Sequence, residues 1–196
     1  MSEIKLSIII PAYNEEAVLG RTLDALLHEV PSNQVLVVSD GSTDKTSQIV
    51  LDKDINLLEL TFNLGVGAAM RAGFQYAKEN GFQTVHLISA IGASTTSRIF
   101  YSKLKGEIEE ALKELSFPNC YIYQPSILIG ARTESRPMEY LSQRLSPFID
   151  LFLKGPLKDY HSISAKRIAK SIARNLGKEK PGIHIQRYAE IMSGIR

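Results

Sequence analysis

The chain has 196 residues, 44% hydrophobic and 22% charged, enough to bury the core of one globular domain. A net charge of +2, no apolar run near the ~20 residues of a bilayer span and a single cysteine exclude several classes. Those are a strongly polyanion-seeking protein, a helical membrane protein, a disulfide-built protein and a cysteine-rich zinc protein.

Taken in chain order, Lys5–Ile10 is a β-branched run expected to be a strand buried on both faces, ended by Pro11. Asn14 is expected to cap a helix over Glu15–His28, with Leu19, Leu23, Leu26 and Leu27 as its apolar stripe. Gln34–Ser39 is the second strand, and Gly41–Asp44 is a turn before a short helix that ends near Leu51. Ile55–Thr61 is the third strand, Gly65–Lys78 a helix, and Gly81 its stop signal. Thr84–Ser89 is the fourth strand, Arg98–Leu115 the longest helix, and Cys120–Gln124 a fifth strand stopped by Pro125. Glu139–Leu153 reads as a helix interrupted near Pro147, and Ser164 as the cap of a helix to Leu176 with Gly177 after it. Ile183–Tyr188 is a sixth strand.

Strands alternating with helices imply βαβ units. The expected fold is therefore α/β: a single-domain, Rossmann-like three-layer sandwich over residues 1–196, its mostly parallel sheet ordered 3-2-1-4-5-6.

Three segments meet at the carboxyl ends of the first strands, where open α/β sheets bind ligands. They are Ile10-Pro11-Ala12-Tyr13-Asn14-Glu15-Glu16, Asp40-Gly41-Ser42-Thr43-Asp44, and Asn63-Leu64-Gly65-Val66-Gly67 leading to Arg71. There an Asp accepts from a base N–H, a Tyr stacks on a ring and an Arg meets a phosphate. On these residues, segment 4–86 resembles the start of a family 2 glycosyltransferase of the GT-A fold. The resemblance implies nucleotide binding by Pro11, Tyr13, Glu15, Asp40 and Arg71. It also implies an Asp-x-Asp metal site after strand four, but the chain reads Leu87-Ile88-Ser89-Ala90-Ile91-Gly92-Ala93 there, without an acid. No metal site is expected.

Tyr101 and Lys105 lie four apart on one helix face, and a cation one turn away favours a tyrosine acting as an acid. Together with Leu87–Ala93, Arg98–Leu112 and Tyr123-Gln124-Pro125-Ser126-Ile127-Leu128-Ile129-Gly130, they make segment 87–196 resemble the second half of an atypical short-chain dehydrogenase/reductase. Gly155-Pro156-Leu157 follows in that family's order. The resemblance implies a catalytic trio of Ser89, Tyr101 and Lys105 and a nicotinamide-side loop at Pro125–Ile127. The glycine-rich dinucleotide turn of that family is missing, since Pro11-Ala12-Tyr13-Asn14-Glu15-Glu16 holds no glycine and two carboxylates.

The reading that follows is an engineered chimera joined near Gly81–Leu87, a scaffold with no complete active site and no native activity. Its alternatives are a weak UDP-like nucleotide-binding module and a residual NAD(P)H-dependent reductase. No cofactor is expected beyond weak UDP or NAD(P) binding.

Residues 1–86 carry 6 basic and 11 acidic residues, and residues 87–196 carry 17 and 10. The basic residues of the second half are interspersed with acids, so neither nucleic acid nor membrane is an expected partner. The expected state is a monomer, or a homodimer through leftover apolar surface. The absence of a leader-like segment and the lone Cys120 make a cytoplasmic location the expectation.

Overall fold

A computed structural model describes residues 6–126, 128–129, 159 and 161–193. The fold is α/β, with parallel strands joined through helices, as the alternation implies. The chain divides into two compact units, Met1–Gln83 with Glu110–Ser116, and Thr84–Glu109 with Phe117–Arg196.

In the first unit, β1 (Ile8–Ala12), β2 (Val35–Asp40) and β3 (Asn56–Leu60) form a parallel sheet in the order β1-β2-β3, the expected 3-2-1. Strand β2 is central and buried along its whole length, which explains its unbroken apolar run from Val35 to Val38. Alternation of its side chains divides the core in two. Val35 and Val37 pack with Leu19 and Leu23 of α1 (Leu19–Leu27) and Val50 of α2 (Thr46–Leu51). Leu36 and Val38 pack with Ala69 of α3 (Val66–Glu79) on the opposite face. Gly73 lets α3 approach closely, because a Cβ there would lie 2.5 Å from Ile9 Cγ2. Gly81 ends α3 in the left-handed region at φ 79°.

The second unit repeats the theme with β4 (Thr84–Ile88), β5 (Asn119–Tyr123) and a strand at Gly182–Gln186, in that order, the expected 4-5-6. Between them come α4 (Phe100–Glu114), β6 (Leu128–Ile129) paired with β7 (Ile163–Ser164), and α5 (Ala165–Asn175). The Gly182–Gln186 strand is β8, and α6 (Tyr188–Met192) follows it. Tyr121 and Tyr123 of β5 build a core with Ile163, Ile168 and Ile191. Ring stacking continues across the sheet, with His86 4.9 Å and His184 5.2 Å from Tyr121.

Several local expectations are corrected. Pro11 does not end β1 but lies within it, opposite Val38; β1 stands at the end of its sheet's order, where a missing N–H is tolerated. Helix α1 begins at Leu19, not Glu15, and Asn14 does not cap it; Asn14 adopts a left-handed φ of 51° and bonds to the turn after β2. Ser164 occupies the cap position of α5 without a side-chain cap hydrogen bond, and Tyr188 opens α6 instead of closing a strand. Lys5, Ile127, the Glu139–Leu153 helix and Gly155–Leu157 lie outside the described residues.

Candidate functional site

The first unit holds an open cleft of about 370 Å³ beyond the carboxyl ends of β1 and β2. Pro11, Tyr13, Glu15, Asp40, Gly65 and Val66 are among its lining residues. Its lining draws on all three segments singled out by the sequence, and the turns after β1 and β2 are tied to each other. The Asn14 N–H donates to Ser42 Oγ at 3.2 Å, the Glu15 N–H to Thr46 Oγ1 at 2.8 Å, and the Glu16 N–H to Asp44 Oδ2 at 3.1 Å. In return the Thr43 N–H donates to Asn14 Oδ1 at 2.8 Å and the Lys45 N–H to Glu16 Oε2 at 3.0 Å. Hydrogen bonds to the Asp44 carboxylate, from Thr46 and Glu16, hold its pKa below the usual carboxylate value despite an opposing desolvation effect.

Asp40 is only 3% exposed, yet it lines the cleft. One carboxylate oxygen accepts the Leu64 N–H at 2.8 Å and so fixes the β3–α3 turn. Asn63 Oδ1 accepts from Gly65 N–H at 3.0 Å, and Gly65 enters α3 with φ 89°, where a side chain would be strained. Tyr13 is 45% exposed at the cleft, a ring open to stacking. Arg71 does not line the cleft. It pairs with Glu114 at 2.7 Å on a solvent-exposed part of α3, a correction to its expected place among the nucleotide ligands.

The same turns bear on a dinucleotide. Pyrophosphate binding after a first strand needs free backbone N–H groups. Those of Asn14, Glu15 and Glu16 already have protein acceptors, and two carboxylates stand beside them. NAD(P) does not fit this turn.

In the second unit the structure brings Tyr101 and Lys105 together, the ammonium lying 5.8 Å from the ring centroid. Lys105 also donates to the Ile88 carbonyl at 3.1 Å. Burial lowers its pKa from the usual lysine value, opposed by the charge of Glu109. Ser89 is engaged elsewhere. Its hydroxyl, 2% exposed, donates to Glu109 Oε1 at 2.5 Å. Glu109, itself 4% exposed, also accepts from Gln124 Nε2 at 3.0 and 3.2 Å, and Gln124 Oε1 accepts from Arg187 at 3.3 Å. The Ser89 hydroxyl is therefore held by a buried carboxylate, whereas the Tyr101 side chain is exposed.

A divalent cation after β4 would need oxygen ligands. Ser89, Ala90 and Ile91 supply no carboxylate, and the Ser89 hydroxyl is taken by Glu109. Among the described residues no three His, Cys, Asp or Glu side chains are grouped as a metal site requires. The donor set does not fit such an ion.

Comparison with known proteins supports the resemblance of the first segment. Residues 7–85 match Glycosyl transferase family 2. Dolichyl-phosphate beta-glucosyltransferase ALG5D of Trichomonas vaginalis is 31% identical over 145 residues, covering 67% of this chain and 40% of that protein. Mitochondrial protein fmp52-1 of Aspergillus terreus is 39% identical over 95 residues, covering 48% of this chain and 40% of that protein. The chain thus spans about 40% of the length of these curated relatives. Among solved structures, UDP-N-acetylglucosamine 4-epimerase from Bacillus cereus aligns over 92% of this chain and 79% of its own, at 16% identity and a TM-score of 0.46. A likeness of that size identifies no shared site.

These relatives overturn the expectation of an engineered, de novo chimera without activity. Two stretches of the chain are similar to curated proteins of natural organisms, and residues 7–85 match a natural family. The physical error lay in equating a missing metal motif with a missing site, since the cleft is formed without that motif. The cytoplasmic expectation is overturned as well, because the Fmp52 relatives are named mitochondrial. A lone cysteine does not separate those compartments. Among the described residues no helix is long and apolar enough to cross a membrane.

Proposed function

We propose that the protein serves glycosyl transfer and that its first unit holds the nucleoside diphosphate of a nucleotide-sugar donor. The observation that carries this reading is the buried Asp40 carboxylate at the floor of a preformed cleft, within the segment that matches family 2. With one oxygen held by Leu64 N–H, Asp40 is placed to accept a base N–H with the other. Tyr13 offers a face for the base, Glu15 an acceptor beside it, and Pro11 a rigid wall. Arg71 has no part in this assignment. Ser89, Tyr101 and Lys105 are not given a reductase role, because the serine hydroxyl is bound to Glu109.

The test is titration calorimetry with UDP and UMP on the whole chain and on Asp40→Asn. The asparagine keeps an acceptor for Leu64 N–H but turns an amide donor toward the base N–H. Binding to the native chain is expected to be saturable, and the variant is expected to bind at least tenfold more weakly, about 1.4 kcal/mol. An unchanged affinity in the variant, or no saturation at millimolar UDP by the native chain, would refute the assignment.

A further inference from the structure

We infer that the second unit binds a small inorganic anion of the halide class between β5 and the last turn of α5, held by the Tyr121 hydroxyl and Arg174 Nη1. Tyr121 and Tyr123 of β5 share one core with Ile168 of α5 and Ile191 of α6. Tyr121 is 3% exposed, and its ring is flanked by those of His86 and His184. Its hydroxyl is buried and has no hydrogen-bond partner. Arg174 Nη1 is buried and unpartnered in the same way, and among the described residues no other buried side-chain nitrogen or oxygen is so placed. The Tyr123 hydroxyl locates both atoms. It accepts from Asn175, the neighbour of Arg174, at 3.2 Å, and both the Tyr121 phenol and the Arg174 charge act on it.

A polar group left unpaired in a core forfeits its solvation, and a charge forfeits far more. A guanidinium is charged at every pH of interest. Arg174 Nη2 donates to Ser171 Oγ at 3.1 Å and to the Glu190 carbonyl at 3.0 Å, both neutral. The Glu190 carboxylate accepts the Arg187 N–H at 3.0 Å instead. Burial raises the Tyr123 pKa, so that phenol keeps its proton and supplies no counter-charge. The groups in need of a partner are thus an O–H and a cationic N–H, with no carboxylate to balance them. Such a pair selects an anion over a cation. The packed side chains around them suit a monatomic ion better than a phosphate-bearing ligand.

The experiment measures hydrogen exchange at the β5 amides in sodium chloride and in sodium gluconate of equal ionic strength, for the whole chain and for Tyr121→Phe. Phenylalanine keeps the ring and removes the hydroxyl, and gluconate is too large to enter a core. Protection in chloride is expected to be at least about fivefold greater than in gluconate, because a ligand of the folded state stabilises it. In the variant the difference is expected to fall below about twofold. Equal protection of the native chain in the two salts, or a chloride effect retained in full by the variant, overturns the inference. Crystals grown in bromide locate the ion: an anomalous peak within bonding reach of both Tyr121 Oη and Arg174 Nη1 is expected. Water at that position overturns the inference. A peak without the chloride effect marks an adventitious ion only and overturns it as well.

Discussion

His86 shows how one side chain links sheet packing to pH. Its ring stacks on Tyr121, and its Nδ1 lies 3.2 Å from the Tyr123 hydroxyl, which a neutral imidazole accepts as a hydrogen bond. Asn175 donates to the same hydroxyl at 3.2 Å, so the tyrosine proton is free to point at the histidine. Burial lowers the His86 pKa below its usual 6.5. A depressed pKa in the folded state means that the contribution is complete above about pH 6.5 and is lost as pH falls through the folded value. Urea unfolding at pH 7.5 and pH 5 is expected to show a larger loss of stability at pH 5 in the native chain than in His86→Gln. Equal losses would refute the role. Glu109, the partner of Ser89, was not legible in the sequence, where Glu107, Glu109 and Glu110 look alike on a charged helix. Only the fold reveals which one is buried. The available hint was Gln124 just after β5, since an amide can donate to a carboxylate inside a core.

At the scale of elements, the turn after β2 depends on Gly41. Its φ is +65°, and a Cβ there would come within 2.5 Å of the Asn63 nitrogen and the Phe62 carbonyl carbon. Both are backbone atoms, so no rotamer change relieves the clash. Gly41→Ala is expected to cost about 1–3 kcal/mol from the backbone conformation alone, with displacement of the Asn63–Gly65 turn. Thermal unfolding and UDP titration together check it, and a variant as stable as the native chain would refute the argument. The strands were legible because continuous β-branched runs have few other uses. The start of α1 was not. Asn14 followed by two acids reads locally as a helix cap, but its acceptor and donor partners lie 28 and 29 residues away. A tertiary partner overrode a local preference, and α1 gave up its first turn to the cleft. Of the expected nucleotide residues, Pro11, Tyr13, Glu15 and Asp40 do line one cleft, because each sits at a strand end. Arg71 lies further along α3, outside the cleft lining, and pairs with Glu114.

At the scale of the molecule, kinship and compactness draw different borders. The family match ends at residue 85, but the first unit also includes Glu110–Ser116 from the end of α4. Within that unit Glu114 pairs with Arg71, and Lys78 donates to the Leu115 carbonyl at 2.5 Å. The exposed ion pair contributes little, of order 0–1 kcal/mol. Leu112, fully buried in the same segment, matters more, since burying a leucine stabilises by roughly 1.5–3 kcal/mol. A fragment of residues 1–83 is therefore expected to have a lower urea midpoint than the first unit shows within the whole chain, read by hydrogen exchange at β2 amides. Equal protection would show the segment to be dispensable. The charge division between the halves was legible from composition, whereas the return of α4 to the first unit had no sequence signal. The cross-linked turns around Asn14 and Thr43 have a consequence for encounter kinetics. A pocket whose rim is already fastened on itself needs no folding step when its guest arrives, so capture is governed by diffusion and affinity by how slowly the guest departs.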